Sequence, residues 1–237
     1  MPPRALEPAG VALVDKPAGP SSFAIVAQIR RLTGARTGHA GTLDPFATGL
    51  LLVLSGRATK IAPSLVGLDK RYRTDVDLTA RTATGDLEGE VVATHAPPDE
   101  AELERRLAGL RGEVELPIPA ASAVKIGGER AYRLARKGVE VEMPLRRSTV
   151  YALEVIAYTD GVATLDLHVS SGTYVRAIAE ALGGHCRTLR RTAVGPFAVE
   201  DAVAPDAFEP SLLLPEADVL ARVERARGER APGETPA

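Results

Sequence analysis

The apolar run Gly10–Val14 closes at Asp15 on the rigid turn Lys16-Pro17-Ala18-Gly19-Pro20, a pattern that predicts a strand ending in a fixed corner. Ser21 or Ser22 then caps a predicted helix, in which Phe23, Ile25, Val26, Ile29 and Leu32 recur at near-helical spacing until Gly34. Residues 34–49 have no usable periodicity and hold four glycines and one proline, which predicts a long loop. The unbroken apolar run Leu50–Leu54 follows at once, so the loop is expected to be ordered and tied to a buried strand.

Further along, Ala58–Val66 reads as a helix interrupted by Pro63. Tyr72–Thr79 reads as a strand with Tyr72, Thr74, Val76 and Leu78 on one face, followed by a polar connection over 82–90. Pro98–Leu110 predicts a helix with an acidic first turn (Asp99, Glu100, Glu102) and later arginines, in keeping with its macrodipole. A small-residue stretch, Pro117–Ala123, leads to Val124-Lys125-Ile126, a Gly-Gly turn and a basic helix around Tyr132–Lys137. Thr149–Tyr158 and Val162–Ser170 predict a hairpin through Asp160-Gly161. Thr173–Leu182 predicts a helix capped by Thr173, and Leu189–Val199 a final strand region. Together these elements give an α+β class, with a mixed, mainly antiparallel sheet flanked by helices. The expected organisation is an N-terminal tail at 1–9, one catalytic domain at 10–214 with an inserted helical and strand region at about 98–147, and a charged tail at 215–237. A short helix over Glu216–Arg227 is allowed in that tail, which is otherwise expected to be disordered and inert.

Composition narrows the chemistry. The chain has 237 residues and 45% hydrophobic content, ample for a core and against a disordered or fibrous chain. No apolar run approaches the roughly 18 residues of a membrane span, and the start lacks a signal-peptide apolar segment, so a cytoplasmic protein is expected. Cys186 is the single cysteine, which excludes an internal disulfide framework. His39, His95, His168 and His185 show no metal-ligand spacing, so no metal is expected. The net charge of −2 hides an asymmetry: residues 11–200 carry 24 Lys and Arg against 22 Asp and Glu, while residues 201–237 carry 4 against 8. The basic residues of the body cluster at Arg30, Arg31 and Arg36; Lys70, Arg71 and Arg73; Arg133, Arg136 and Lys137; Arg146 and Arg147; and Arg187, Arg190 and Arg191. Each cluster fits either phosphate binding or an ordinary solvated face.

The Gly-rich segment is neither a phosphate-binding P-loop nor a nucleophile elbow, because neither motif is present. It offers one carboxylate, Asp44, between Leu43 and Pro45, with His39 five residues earlier. An Asp-Pro pair is most often a turn initiator and a lone His most often a packing group. Lys70-Arg71-Tyr72-Arg73 alternates cations with an aromatic ring, which suits base stacking or an exposed strand. Arg176 falls in the first turn of a predicted helix, where a cation opposes the dipole, so a carboxylate partner from elsewhere is expected. Leu189-Arg190-Arg191-Thr192 fits an RNA-facing strand or a sheet edge.

The stretch Gly38-His39-Ala40-Gly41-Thr42-Leu43-Asp44-Pro45-Phe46-Ala47-Thr48-Gly49 closely resembles the catalytic motif of the bacterial tRNA pseudouridine-55 synthases, the TruB family. Asp15-Lys16-Pro17-Ala18-Gly19, Lys70-Arg71-Tyr72, Ser122-Ala123-Val124-Lys125, Arg130-Ala131-Tyr132, Gly172-Thr173-Tyr174-Val175-Arg176 and Leu189-Arg190-Arg191-Thr192 resemble further family signatures, in the family's order, over residues 10 to about 200. The resemblance implies the pseudouridine synthase catalytic fold and isomerisation of a uridine in the T-loop of tRNA, without a cofactor. It also implies a monomer whose partner is the tRNA T-arm. Asp44 would be the essential aspartate and Arg176 its partner. Tyr72 would stack on the uracil, Tyr174 would complete the pocket, His39 would hold the rearranged T-loop, and Leu189 would pack at the base. Lys16 and Pro17 would brace the loop that carries Asp44. The chain departs from the family after Leu214, where the usual PUA-type RNA-binding domain is not legible, and around 181–186, which is shorter. The pocket alone is also compatible with a synthase acting on another RNA. A non-catalytic RNA-binding or tRNA-folding protein would need the basic clusters but not Asp44 and Arg176 together.

Overall fold

The computed structural model describes residues 8–122, 124–126, 128–131 and 142–229. In chain order its elements begin with β1 (Gly10–Lys16), α1 (Ser22–Thr33), β2 (Thr37–His39), β3 (Thr48–Ser55), a 3-10 turn at Gly56–Ile61 and α2 (Ala62–Val66). They continue through β4 (Lys70–Asp77), β5 (Ala80–Thr82), β6 (Val91–Thr94), α3 (Glu100–Ala108), β7 (Gly112–Pro117), β8 (Lys125–Ile126) and β9 (Glu129–Arg130). The rest are β10 (Leu145–Thr159), β11 (Val162–Val169), α4 (Val175–Ala181), β12 (His185–Val194), β13 (Phe197–Ala198) and α5 (Glu216–Glu229). Most strand pairings are antiparallel, as the α+β reading requires. None of the described helices is long and apolar enough to cross a membrane. The chain divides into two compact units, one formed by residues up to 72 and from 190 onward, the other by residues 73–189.

In the first unit β3 is the centre. Leu50–Leu54 are buried on both faces, which is why this strand reads as a continuous apolar run rather than an alternation. β1 runs antiparallel to it from Gly10 opposite Ser55 to Lys16 opposite Gly49. β2 pairs antiparallel with its C-terminal end, His39 opposite Val53, and β12 pairs parallel with its N-terminal end, Arg191 opposite Gly49. The loop expected over 34–49 therefore contains a short strand, because the backbone of Thr37–His39 finds a ladder partner in the C-terminal end of β3, Val53 to Ser55. Ser21 caps α1, its hydroxyl accepting from the Ala24 amide at 3.2 Å, and Gly34 ends the helix in the left-handed conformation. Pro63 does not interrupt a helix. It sits in the first turn of α2, where the amide it lacks would have no intrahelical partner.

α5 alters the reading of the C-terminal segment most. Val219 and Val223 are buried in the core formed by Val11, Leu13, Leu50, Leu52, Leu54 and Phe197. Residues 216–229 are thus a packed helix and not an inert tail: two valines one turn apart supply an apolar stripe that the surrounding Glu and Arg residues mask in composition. Residues 230–237 lie outside the described part.

In the second unit the strands run β4-β11-β10-β7. The β10–β11 hairpin turns at Asp160 and Gly161, both with positive φ (52° and 78°), the conformation that an Asp-Gly pair favours. Ala163, Leu165, Leu167 and Val169 of β11 face the core and the residues between them face outward, as the alternation predicts. In α3, Asp99 is the N-cap rather than a first-turn residue, its carboxylate accepting from the Glu102 amide at 2.8 Å. The β5–β6 pair and β7 were not expected from the pattern, since β6 is exposed throughout and carries no alternation. The basic helix expected around Tyr132–Lys137 lies outside the described residues.

Candidate active site

In the first unit, the segment carrying Asp44 is fixed by three buried polar side chains. The Lys16 ammonium is inaccessible to solvent and donates to the carbonyl oxygens of Pro17 (2.9 Å), Pro45 (3.0 Å) and Ala47 (2.6 Å). Ser22 exchanges two bonds with Leu43: its hydroxyl donates to the carbonyl at 2.9 Å and accepts from the amide at 2.8 Å. The guanidinium of Arg191, also buried, donates to Leu50 O (2.7 Å), Gly41 O (3.0 Å) and Thr42 O (3.4 Å). Further backbone bonds run from Gly19 N to Pro45 O and from Ala40 N to Leu52 O, each 2.9 Å.

These contacts explain the residue types. A loop taken off the surface carries carbonyl groups that must find donors, and long cationic side chains reach them from neighbouring strands. Gly49 is required by closeness: it has φ +101°, and a Cβ there would stand 2.3 Å from the carbonyl oxygen of Arg191. Between the clamps, Asp44 is only half-buried. The result is a carboxylate on a backbone with little freedom, the condition for acting on one atom of a bound substrate.

His39 and Tyr72 belong to this unit as well. Burial and the Arg191 charge hold His39 below the usual histidine pKa, and its Nδ1 is buried with no hydrogen-bond partner among the described residues. The imidazole is therefore neutral near pH 7 and its ring is available for packing rather than for ion pairing. Tyr72 is buried on the same face of β4 as Lys70. Lys70 donates to the carbonyls of Val66 (2.6 Å) and Leu68, and burial, helped by Arg191, pushes its pKa down to about 8. The basic clusters thus separate by role. Lys70 and Arg191 face inward, Arg190 forms a two-pronged pair with Asp15 (3.0 and 2.8 Å), and Arg73 forms one with Asp166 (2.8 and 2.7 Å). Arg191 is accordingly not part of an RNA-facing strand surface.

In the second unit, Arg176 occupies the first turn of α4 and is 2% exposed. Its Nη1 donates to Thr84 O at 2.7 Å and its Nη2 to Ala121 O at 3.0 Å, and Asp86 Oδ2 lies 3.4 Å from Nη1. Within this unit Asp86 is thus a carboxylate beside the helical cation. Asp86 is in turn fixed by the Thr84 hydroxyl (2.6 Å) and the Glu88 amide (3.1 Å). Tyr174, not Thr173, is the residue before α4. The Thr173 hydroxyl donates instead to Ser170 O at 2.9 Å, closing the preceding turn. Tyr174 is half-buried and Leu189 is buried. Burial raises the pKa of Glu180, which Arg176 and Arg81 partly offset.

The first unit therefore brings Asp44 and His39 onto one clamped segment and contains Tyr72, and the second contains Tyr174, Arg176 and Leu189. Ser22, Arg191 and Asp86 were missed as site-building residues. The Gly-containing polar run at 82–90 was the available signal for Asp86, and nothing local distinguishes Arg191 from Arg190. Of the sequence signatures, Ala123 and Tyr132 lie outside the described residues. Among the described residues no group of three or more His, Cys, Asp or Glu side chains is arranged to hold a metal ion.

Comparison with known proteins gives a consistent result. The profile of the TruB family pseudouridylate synthase (N terminal domain) matches residues 30–175. The tRNA pseudouridine synthase B of Bordetella avium (strain 197N) is 42% identical over 231 residues, covering 92% of this chain and 94% of its own. That of Corynebacterium jeikeium (strain K411) is 44% identical over 229 residues, covering 88% of this chain and 74% of its own. Among solved structures, a Cbf5–Nop10–Gar1 complex superposes with a TM-score of 0.69 at 25% identity, over 90% of this chain and 62% of that one. An archaeal box H/ACA sRNP Nop10–Cbf5 complex gives 0.64 at 25% identity, over 91% and 61%. The chain thus spans less than two thirds of the length of these two structural relatives.

Proposed function

This chain belongs to the TruB family of pseudouridylate synthases and isomerises uridine to pseudouridine, and we propose that its target is uridine 55 in the T-loop of tRNA, with Asp44 as the catalytic residue. The reaction cleaves the C1′–N1 bond, turns the base and rejoins it through C5, whose proton is lost while N1 gains one. Oxidation state and composition are unchanged, so no cofactor is needed.

Asp44 acts on the ribose of the extruded nucleotide, where a carboxylate suits the electron-poor sugar that forms as the base departs. Tyr72 stacks on the uracil, Tyr174 and Leu189 exclude water around it, and His39, neutral and half-buried, supports the displaced T-loop. Flipping the base costs a few kcal/mol, which stacking and phosphate contacts offset. The protein acts as a monomer in the cytoplasm on the T-arm stem-loop.

The observation that carries the reading is the clamp: Lys16, Ser22 and Arg191 hold the backbone on both sides of Asp44 and leave its carboxylate half-exposed. The test is to map pseudouridine in tRNA and in an isolated T-arm stem-loop after incubation with the purified protein. Wild type is expected to modify position 55 in both, and Asp44→Ala in neither. Modification elsewhere, or turnover by Asp44→Ala, refutes it.

A further inference from the structure

Helix α1 buries Ile25, Val26 and Ile29 and anchors the Asp44 segment through Ser22. Its opposite face is unlike an ordinary solvated helix. Phe23, the neighbour of Ser22, is 75% exposed. Seven and eight residues on, at about 100° per residue, Arg30 and Arg31 fall on the same side, both exposed. Arg36 follows just beyond the helix, also exposed. From Lys16 to Leu43 the sequence contains no Asp or Glu at all. Among the described residues no carboxylate pairs with Arg30, Arg31 or Arg36, whereas Arg73, Arg106, Arg111 and Arg190 each form a close ion pair.

We propose that this face of α1 is a further binding surface for the sugar-phosphate backbone of the RNA substrate, with Phe23 against a sugar or base and Arg30 and Arg31 on phosphates. The proposal rests on the reading of the protein as a tRNA-modifying enzyme.

Three features carry it. Charge is the first: a helix face bearing cations only, with no carboxylate partner among the described residues, complements a polyanion and little else. The second is the ring, because a Phe left three-quarters in water gains from stacking, and the aromatic-plus-cation combination is the usual form of a strand-tracking surface. Position is the third. Phe23 is one residue from the hydroxyl that holds Leu43, the neighbour of Asp44, and Arg30 is about 10 Å further along the helix axis. A nucleotide at Asp44 therefore has the rest of its strand within reach of α1. Complementing the helix dipole explains Arg30 and Arg31 in the last turn, but neither Phe23 nor the 28-residue stretch without acid.

The experiment compares wild type, Arg30→Gln/Arg31→Gln, Phe23→Ala and Asp44→Asn. Binding of unmodified tRNA transcript is measured by fluorescence anisotropy across salt, and pseudouridine formation under single-turnover conditions at saturating protein. All substituted side chains on α1 are exposed, so melting temperatures should match wild type. The double variant is expected to raise Kd by about tenfold at low salt and to flatten the slope of log Kd against log salt by about 1–2, with the saturated rate unchanged. Phe23→Ala should raise Kd severalfold without altering the slope. Wild-type Kd and slope in the double variant overturn the proposal. If wild type binds but forms no pseudouridine, it is the enzymatic reading that fails, while the binding comparison still decides the role of α1.

Discussion

The ammonium of Lys16 donates to the carbonyl oxygens of Pro45 and Ala47, at 3.0 and 2.6 Å, so a buried cation from β1 grips the chain immediately after Asp44. Lys16→Met removes these donors and leaves the buried carbonyls unpaired, at about 1–3 kcal/mol for each. The expected result is a lower melting temperature and a fall in the single-turnover rate larger than the change in tRNA Kd. A stable variant with a wild-type rate would show that the clamp does not set the position of Asp44.

Asp44→Asn keeps the size of the side chain and removes its charge. Pseudouridine formation is expected to vanish while the melting temperature and the tRNA Kd stay near wild type. Mapping of modified positions checks the first and anisotropy the second.

Arg176 splits its fork between Thr84 O and Ala121 O while lying beside Asp86. A lysine presents one nitrogen and cannot span both carbonyls. Arg176→Lys is therefore expected to lose most activity and about 1–3 kcal/mol of stability. Melting temperature and single-turnover rate of the same variant check the two. A variant with wild-type stability and rate would show that neither needs the fork.

Deleting residues 215–237 exposes the core around Val219 and Val223, whereas deleting 230–237 leaves α5 in place. The longer deletion is expected to lower the urea midpoint strongly and the shorter one hardly at all. Val219→Ala alone should cost about 2 kcal/mol. Equal midpoints for both deletions would mean that α5 contributes nothing to the unit.

Lys70 has a pKa of about 8 in the folded protein, below its ordinary value of 10.5. Between about pH 8 and 10.5 the unfolded chain binds this proton and the folded one does not, so this group makes stability rise with pH in that window. Below pH 8 both states are protonated and the contribution is constant. Wild type is expected to gain stability relative to Lys70→Met from pH 7.5 to 10, read from melting temperatures of the pair. A difference independent of pH would contradict the shift.

Much of the scaffold is local and was legible. The Ser21 cap and Gly34 stop of α1, the continuous apolar run of β3, and the Asp160-Gly161 hairpin with its alternating β11 each depend on neighbours within a few residues. The motif around Asp44 was legible as membership of a family, which the comparisons show, though composition and spacing alone left Asp-Pro a turn. What the sequence hid was the partner of each charged group. Arg190 and Arg191 are adjacent and alike, yet one turns outward to Asp15 and the other inward to carbonyls about 150 residues away in the chain. Asp86 looked like part of a polar connection until the fold set it beside Arg176. Val219 and Val223 looked like minor residues of a charged segment until β1 and β3 supplied a surface to bury them. Periodicity records which side of an element is apolar. Whether a lysine or arginine is solvated or used as a buried clamp depends on which unpaired carbonyls the folded chain brings within reach, and only the tertiary structure decides that.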